Sequence, residues 1–324
     1  EVVNYLGVLY EQLAQYEKAE SFAQRALAIR EKLFGPDSIS VADSLRTLGA
    51  VAFNRGQYAE ADRLLRRALA IDEQKLAAEH PTIALDLNNL AALLREAGVF
   101  EEAAKYDRRA LAIRRAKYGT NHPETAMSMN NLAVTYAIAG RFDEAVQLYD
   151  RALSIRRELL GGDHFDTLKT MNNLAVAYAW QHRYDEAERL YDETLKLKRA
   201  RYGDNHPDVA TAYSNLATSY GEAEEYDAAI ANMEQAIAIF IRTRGEDHPY
   251  VTLARAKVLS WQALDADPDE AEQLLKRALD SVQQAFGSGH IASLQFSEEL
   301  ADSYFVHGRF EQAAAQYEHV IQLA

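Results

Sequence analysis

Between residues 123 and 160 the apolar positions fall three or four apart, in two runs separated by a glycine. That spacing predicts two helices, each with one buried face. Pro123 sits where a first helical residue belongs, with Asn121 and His122 offering capping groups just before it. The first helix carries Leu132, Ala133 and Tyr136 on one stripe, and Gly140 ends it. The second starts near Phe142–Asp143, carries Ala145, Leu148, Tyr149, Ala152, Leu153 and Ile155, and ends near Leu160–Gly161. Arg156 and Arg157 lie close to its negative dipole end. The small residues at 133, 145 and 152 let neighbouring helices approach closely.

The same pattern recurs along the whole chain. One alanine returns every 42 residues, at positions 19, 61, 103, 145, 187, 229, 271 and 313. A leucine keeps the same beat at 6, 48, 90, 132, 174 and 216, and a histidine at 80, 122, 164, 206, 248 and 290. The expected repeats span about 1–40, 41–82, 83–124, 125–166, 167–208, 209–250, 251–292 and 293–324. One hairpin cannot bury its own apolar face, so each copy must stack on the next to complete a core. The seventh copy departs most, with Val258, Gln262 and Pro268 where leucine, tyrosine and an aromatic are expected, which predicts weaker or kinked packing there.

Composition narrows the class. The 324 residues are 48% apolar and 26% charged, with no cysteine and a formal net charge of −14. Disulfides, thiolate metal sites and a cysteine nucleophile are excluded. The longest clear apolar run, Leu174 to Trp180, falls far short of the roughly 20 residues that span a bilayer. No basic segment followed by an apolar one marks a secretory signal, and a cytoplasmic location is expected. The acidic balance argues against nucleic acid as a partner, because phosphate binders cluster Lys and Arg.

The motifs Leu-Ala-x-x-Tyr, Gly-x-Tyr/Phe-x-Glu-Ala and Tyr-x-Arg-Ala-Leu-x-Ile-Arg resemble the tetratricopeptide (TPR) family. Asn130-Asn131-Leu132-Ala133 and Gly119-Thr120-Asn121-His122-Pro123, together with the repeat length, resemble its kinesin light chain-type branch. The resemblance implies an all-α fold: a single TPR solenoid over 1–324, a right-handed superhelix of eight antiparallel helix hairpins. Glu1 falls inside the first helix of the first copy, so a fragment of a longer protein is expected.

The family's concave groove is lined by positions five and two before the repeat leucine, and two, five and six after it. Carried over, these include Leu85, Asn88, Ala92, Arg95 and Glu96 in the third copy, and Met127, Asn130, Val134, Ala137 and Ile138 in the fourth. They continue as Lys169, Asn172, Val176, Ala179 and Trp180 in the fifth, and as Thr211, Ser214, Thr218, Gly221 and Glu222 in the sixth. An amide offers an acceptor and two donors, so a ladder of amides can hold an extended peptide by its backbone. Asn88, Asn130 and Asn172 are read as groove-exposed. The adjoining row Asn89, Asn131, Asn173 and Asn215 either ties hairpins together or binds peptide; Trp180 either anchors a ligand or packs between helices. Net acidity steers basic segments at long range, yet the resemblance also admits acidic peptides held by local cations, for which Arg95, Lys169 and Lys196 are available.

An active site finds no support. The histidines lie one hairpin apart, too dispersed for a metal, and are read as helix caps. Asp265, Asp267 and Asp269 mimic the start of a calcium loop, but Glu270 stands where its glycine belongs. Phosphate-loop, dinucleotide, zinc-protease and serine-hydrolase motifs are missing, so no cofactor is expected. The pairs Arg114-Arg115 and Arg156-Arg157 are read as solvated helix ends. The expected function is a scaffold binding a protein or peptide ligand. The alternatives are a sensor or regulatory arm fused to a nucleotidase, kinase or protease, and a module that self-associates through its ends.

Overall fold

The computed structural model describes residues 2–323, and among them sixteen helices follow one another without a strand, packed in successive pairs within each unit. The first pair is α1 (Val2–Gln12) with α2 (Tyr16–Phe34), followed by α3 (Ile39–Asn54) with α4 (Tyr58–Lys75) and α5 (Pro81–Glu96) with α6 (Phe100–Tyr118). Next come α7 (Pro123–Ile138) with α8 (Phe142–Leu160), then α9 (Phe165–Trp180) and α10 (Tyr184–Tyr202) in chain order. The last six helices are α11 (Pro207–Glu222), α12 (Tyr226–Arg244), α13 (Pro249–Leu264), α14 (Pro268–Phe286), α15 (Ile291–Val306) and α16 (Phe310–Leu323). Two compact units divide the chain between Ala177 and Tyr178.

Six first helices, α5 to α15, start with the same local chemistry. At His80, His122, His206, His248 and His290 the imidazole Nδ1 accepts from the backbone N–H two residues on, capping the helix that follows. His164 makes the same bond to Asp166 N–H at 3.2 Å. The histidine row is therefore a row of caps. Six second helices, from α2 and α6 to α14, end at a glycine with positive φ, such as Gly119 at 84°, whereas α4 ends at the extended Leu76. Thr125 Oγ1 then donates to the Gly119 carbonyl at 2.7 Å, and Thr167 and Ser293 repeat that bond to Gly161 and Gly287.

The tight turn between the two helices of a repeat takes a positive φ in every copy but the seventh. Glycine supplies it at Gly56, Gly98, Gly140 and Gly308, whereas Ala14, His182 and Glu224 adopt it at 55°, 57° and 62°. An L side chain in that region is strained by roughly 1–2 kcal/mol.

Packing follows the alanine beat. Ala19, Ala61, Ala103 and Ala145 in the first unit, and Ala187, Ala229 and Ala271 in the second, are all fully buried. In the first unit each first helix also touches the first helix of the next hairpin, so α1, α3, α5 and α7 form a row. The irregular seventh copy corrects the expectation of a kink. Pro268 occupies the first position of α14, and Asp267 Oδ1 caps it by accepting from the backbone N–H of Asp269 and Glu270 at 3.0 Å. Trp261 replaces the missing aromatic and is buried against Gly221, where a Cβ would lie 2.6 Å from the indole.

Candidate functional site

Both rows of asparagines lie on first helices, yet the two do opposite things. Asn88 and Asn130 are 8% and 2% exposed, which corrects their reading as groove residues. They belong to polar layers between hairpins, each joining a first helix, its own second helix and the next first helix. In one layer Arg114 donates to Asn88 Oδ1 and to Ser128 Oγ. In the next, Arg156 donates to Thr170 Oγ1, and Thr170 donates to Asn130 Oδ1 at 3.3 Å. An earlier layer is alike: Arg30 donates to Ser44 Oγ at 2.8 Å, and Ser44 to Asn4 Oδ1 at 3.2 Å.

Arg114 and Arg156 are thus 3% exposed, correcting their reading as solvated ends; only Arg115 and Arg157 face outward. Burial lowers the pKa of both guanidiniums, opposed chiefly by Glu124 for Arg114 and by Asp166 for Arg156.

One layer has its charges exchanged. Arg46 stands where the others have asparagine, Asp72 where they have arginine, and Asp86 where they have serine or threonine. Arg46 binds Asp72 at 2.6 Å, Asp86 at 2.7 Å and the more exposed Asp43 at 2.8 Å. Asp72 Oδ1 and Asp86 Oδ2 are buried without a hydrogen-bond partner. Burial, then the hydrogen bond that a protonated Asp72 gives Asp86 and the Asp86 charge, push the Asp72 carboxyl up to about 7 against the pull of Arg46. Burial raises Asp86 as well, with Arg46 opposing it.

Arg95 is likewise engaged within the fold. Its guanidinium donates to Asp107 Oδ2 at 3.0 Å and Thr135 Oγ1 at 2.9 Å. Asp107 also accepts from Asn88 Nδ2 at 2.7 Å and Thr135 Oγ1 at 2.6 Å. Burial raises the Asp107 pKa despite these donors. Arg95 therefore serves the interior of the fold, because releasing it would strand a fully buried carboxylate. Lys196 lies on α10, a second helix, away from the row of first helices.

What stays accessible in the first unit is a stripe spaced four, three and four along each first helix. It runs Leu85, Asn89, Ala92 and Glu96 on α5, and Met127, Asn131, Val134 and Ile138 on α7. On α9 it continues with Lys169, Asn173 and Val176. Asn89, Asn131 and Asn173 are half-buried, and Ile138 is 47% exposed. Asn173 Nδ2 donates to Asn130 Oδ1 at a long 3.4 Å, while the amides of Asn89 and Asn131 make no hydrogen bond among the described residues. Asn172 is half-buried on the neighbouring face of α9. The adjoining asparagine row thus faces outward at Asn89 and Asn131 and touches the layer at Asn173.

In the second unit Trp180 is 44% exposed at the end of α9. Ser214, with Thr211 and Thr218, edges a cavity of about 540 Å³ formed by α11, α12, α13 and α15. Of the expected groove positions only those three reach this cavity, whose other walls were not legible in the repeat pattern. The charged layer is missing at this point: Ser214, Phe240 and Ala254 hold the places that Asn88, Arg114 and Ser128 hold in the first unit. Among the described residues no group of three or more His, Cys, Asp or Glu could hold a metal ion, and no helix is long and apolar enough to cross a membrane.

A family model described as tetratricopeptide repeat matches residues 2–74, 82–158, 129–179, 166–242 and 209–284. No curated protein matches the sequence significantly. Among solved structures the chain resembles the nearly identical TPR-like repeats of a kinesin light chain-type protein from Podosopora anserina. That likeness is 26% identical over 62% of this chain and 95% of that one, with a TM-score of 0.54. The apo form of the quorum sensor NprR from B. thuringiensis is 17% identical over 99% of this chain and 87% of its own, with a TM-score of 0.72. A Rap protein complexed with Competence and Sporulation Factor is 15% identical over 99% of this chain and 96% of its own, with a TM-score of 0.62. The last two share the fold alone.

Proposed function

The chain belongs to the tetratricopeptide repeat family, and from that premise we propose that it is a scaffold binding a protein or peptide along the exposed face of its first helices. One observation carries this reading: the half-exposed amides of Asn89 and Asn131 stand beside a floor of Ala92, Val134 and Val176. Small apolar side chains leave room for a ligand's residues, and each free amide can pair with a peptide N–H and C=O. Ile138 and Lys169 flank that floor as an apolar contact and a cation. Trp180, exposed on the second unit, is available as a large apolar contact for the same class of ligand. A Rap protein of the same fold is seen complexed with Competence and Sporulation Factor, in keeping with a scaffold that binds a partner.

Adjacent residues provide the test. Peptides enriched from a random 12-residue phage library on the intact protein are measured against Asn131→Leu and Asn130→Leu. Asn131→Leu lowers affinity about tenfold, the loss of roughly 1.4 kcal/mol expected for hydrogen bonds to the amide, with the melting temperature unchanged. Asn130→Leu lowers the melting temperature instead. Peptides that bind Asn131→Leu as tightly as the parent protein would refute the groove.

A further inference from the structure

The cavity of the second unit has the makings of a separate site. Its walls are mostly apolar, with Phe240, Phe296 and Met233 forming the interior and Tyr250 standing half-exposed at the edge. A volume near 540 Å³ falls in the range of roughly 300–1,000 Å³ typical of pockets for discrete ligand groups. It exists because the sequence withdraws a long side chain. In the first unit an arginine of the second helix fills the corresponding space, whereas here Phe240 faces Ser214 and Ala254.

The charges around the cavity are not equivalent. Lys257 is matched by Glu299 at 3.1 Å, and Glu299 also accepts from Ser260 Oγ. Arg244 lies over the rings of Tyr250 and Phe240, 5.1 and 5.9 Å from their centres. No carboxylate pairs with Arg244 among the described residues. These cation–π contacts leave the N–H fork of the guanidinium unused and available to a bidentate anion.

We propose that this cavity is a binding site for a bulky apolar group bearing a carboxylate, the apolar body lying on Phe240 and Phe296 and the carboxylate on Arg244. Such chemistry is offered by a free hydrophobic acid and by the C-terminal residue of a peptide. The site is independent of the amide groove in the first unit.

NMR titrations of the whole chain with 4-phenylbutanoate, 4-phenylbutan-1-ol and acetyl-Gly-Gly-Phe test it. The expected result is that at least one carboxylate binds tenfold or more tightly than the alcohol, and whichever acid binds better identifies the source. Arg244→Gln, at an exposed position, removes that preference while binding of the alcohol persists. A second variant, Ser214→Asn with Phe240→Arg and Ala254→Ser, restores the charged layer and abolishes binding of all three probes, with circular dichroism confirming its helical content. Asn131→Leu leaves all three affinities unchanged, so failure of the groove and failure of this site are read separately. Equal affinity for acid and alcohol, or a preference that survives Arg244→Gln, would overturn the proposal.

Discussion

Replacing Asp72 by asparagine should stabilise the protein, and more so as pH rises. Two buried carboxylates share the Arg46 guanidinium, and each keeps one oxygen without a donor. Folding moves the Asp72 pKa from 3.8 to about 7, so between those values the folded state binds more protons than the unfolded chain. The stability associated with this proton is fully present below pH 3.8 and is lost as pH climbs through 7. A displacement of about three units, at roughly 1.36 kcal/mol each, sets an upper bound near 4 kcal/mol. Because Asp86 holds part of the same proton, about 2–4 kcal/mol is expected. Asparagine keeps the shape, can accept from Arg46, and can present an N–H to Asp86. Urea titrations of both proteins at pH 5 and pH 8 give the difference, since the titrating groups outside the Asp72–Asp86 pair cancel between them. Part of that penalty is already present at pH 5, so the stability gap in favour of Asp72→Asn should widen by about 1–2.5 kcal/mol over that interval. A gap that stays flat, or that narrows toward pH 8, would refute the account of the layer.

Two further predictions concern packing and backbone. Glu224→Gly relieves a residue held at φ 62° and should stabilise its hairpin by about 1 kcal/mol, read as slower amide exchange in α11 and α12. Gly221→Ala drives a methyl into the Trp261 indole and should cost about 1–3 kcal/mol, read from denaturant midpoints followed by tryptophan fluorescence. Unchanged exchange or an unchanged midpoint would remove the physical basis for either.

The helices, caps and buried alanines were legible because each depends on residue type at a fixed repeat position. Pro123 and His122 mark a helix start in any context, and Ala145 recurs where two helices touch. The exposure of Asn130 against Asn131 was not legible from either residue. Adjacent helical positions differ by about 100°, and an amide suits both a buried layer and a solvated face. The deciding signal lay in partners far away in sequence. Wherever 88 or 130 is asparagine, 114 or 156 is arginine and 128 or 170 is serine or threonine; where 46 is arginine, 72 and 86 are both aspartate. That joint exchange is what residues in mutual contact require, and it places Asn88 and Asn130 inside. Arg95 was misassigned for the same reason, since its partner Asp107 lies on the following helix and recurs in no other copy.

The reversed layer around Arg46 also gives the array an address. Modules this alike can dock in the wrong order while the chain is collapsing, because any hairpin's surface nearly fits any other's. A hairpin bearing Asp86 that settled beside Asn130 and Arg156, where Thr170 belongs, would leave Arg46 and Asp72 to face an uncharged hydroxyl from some other module. Only the encoded succession matches each acid to its base, so the second junction acts as a keyed coupling that fixes where counting begins.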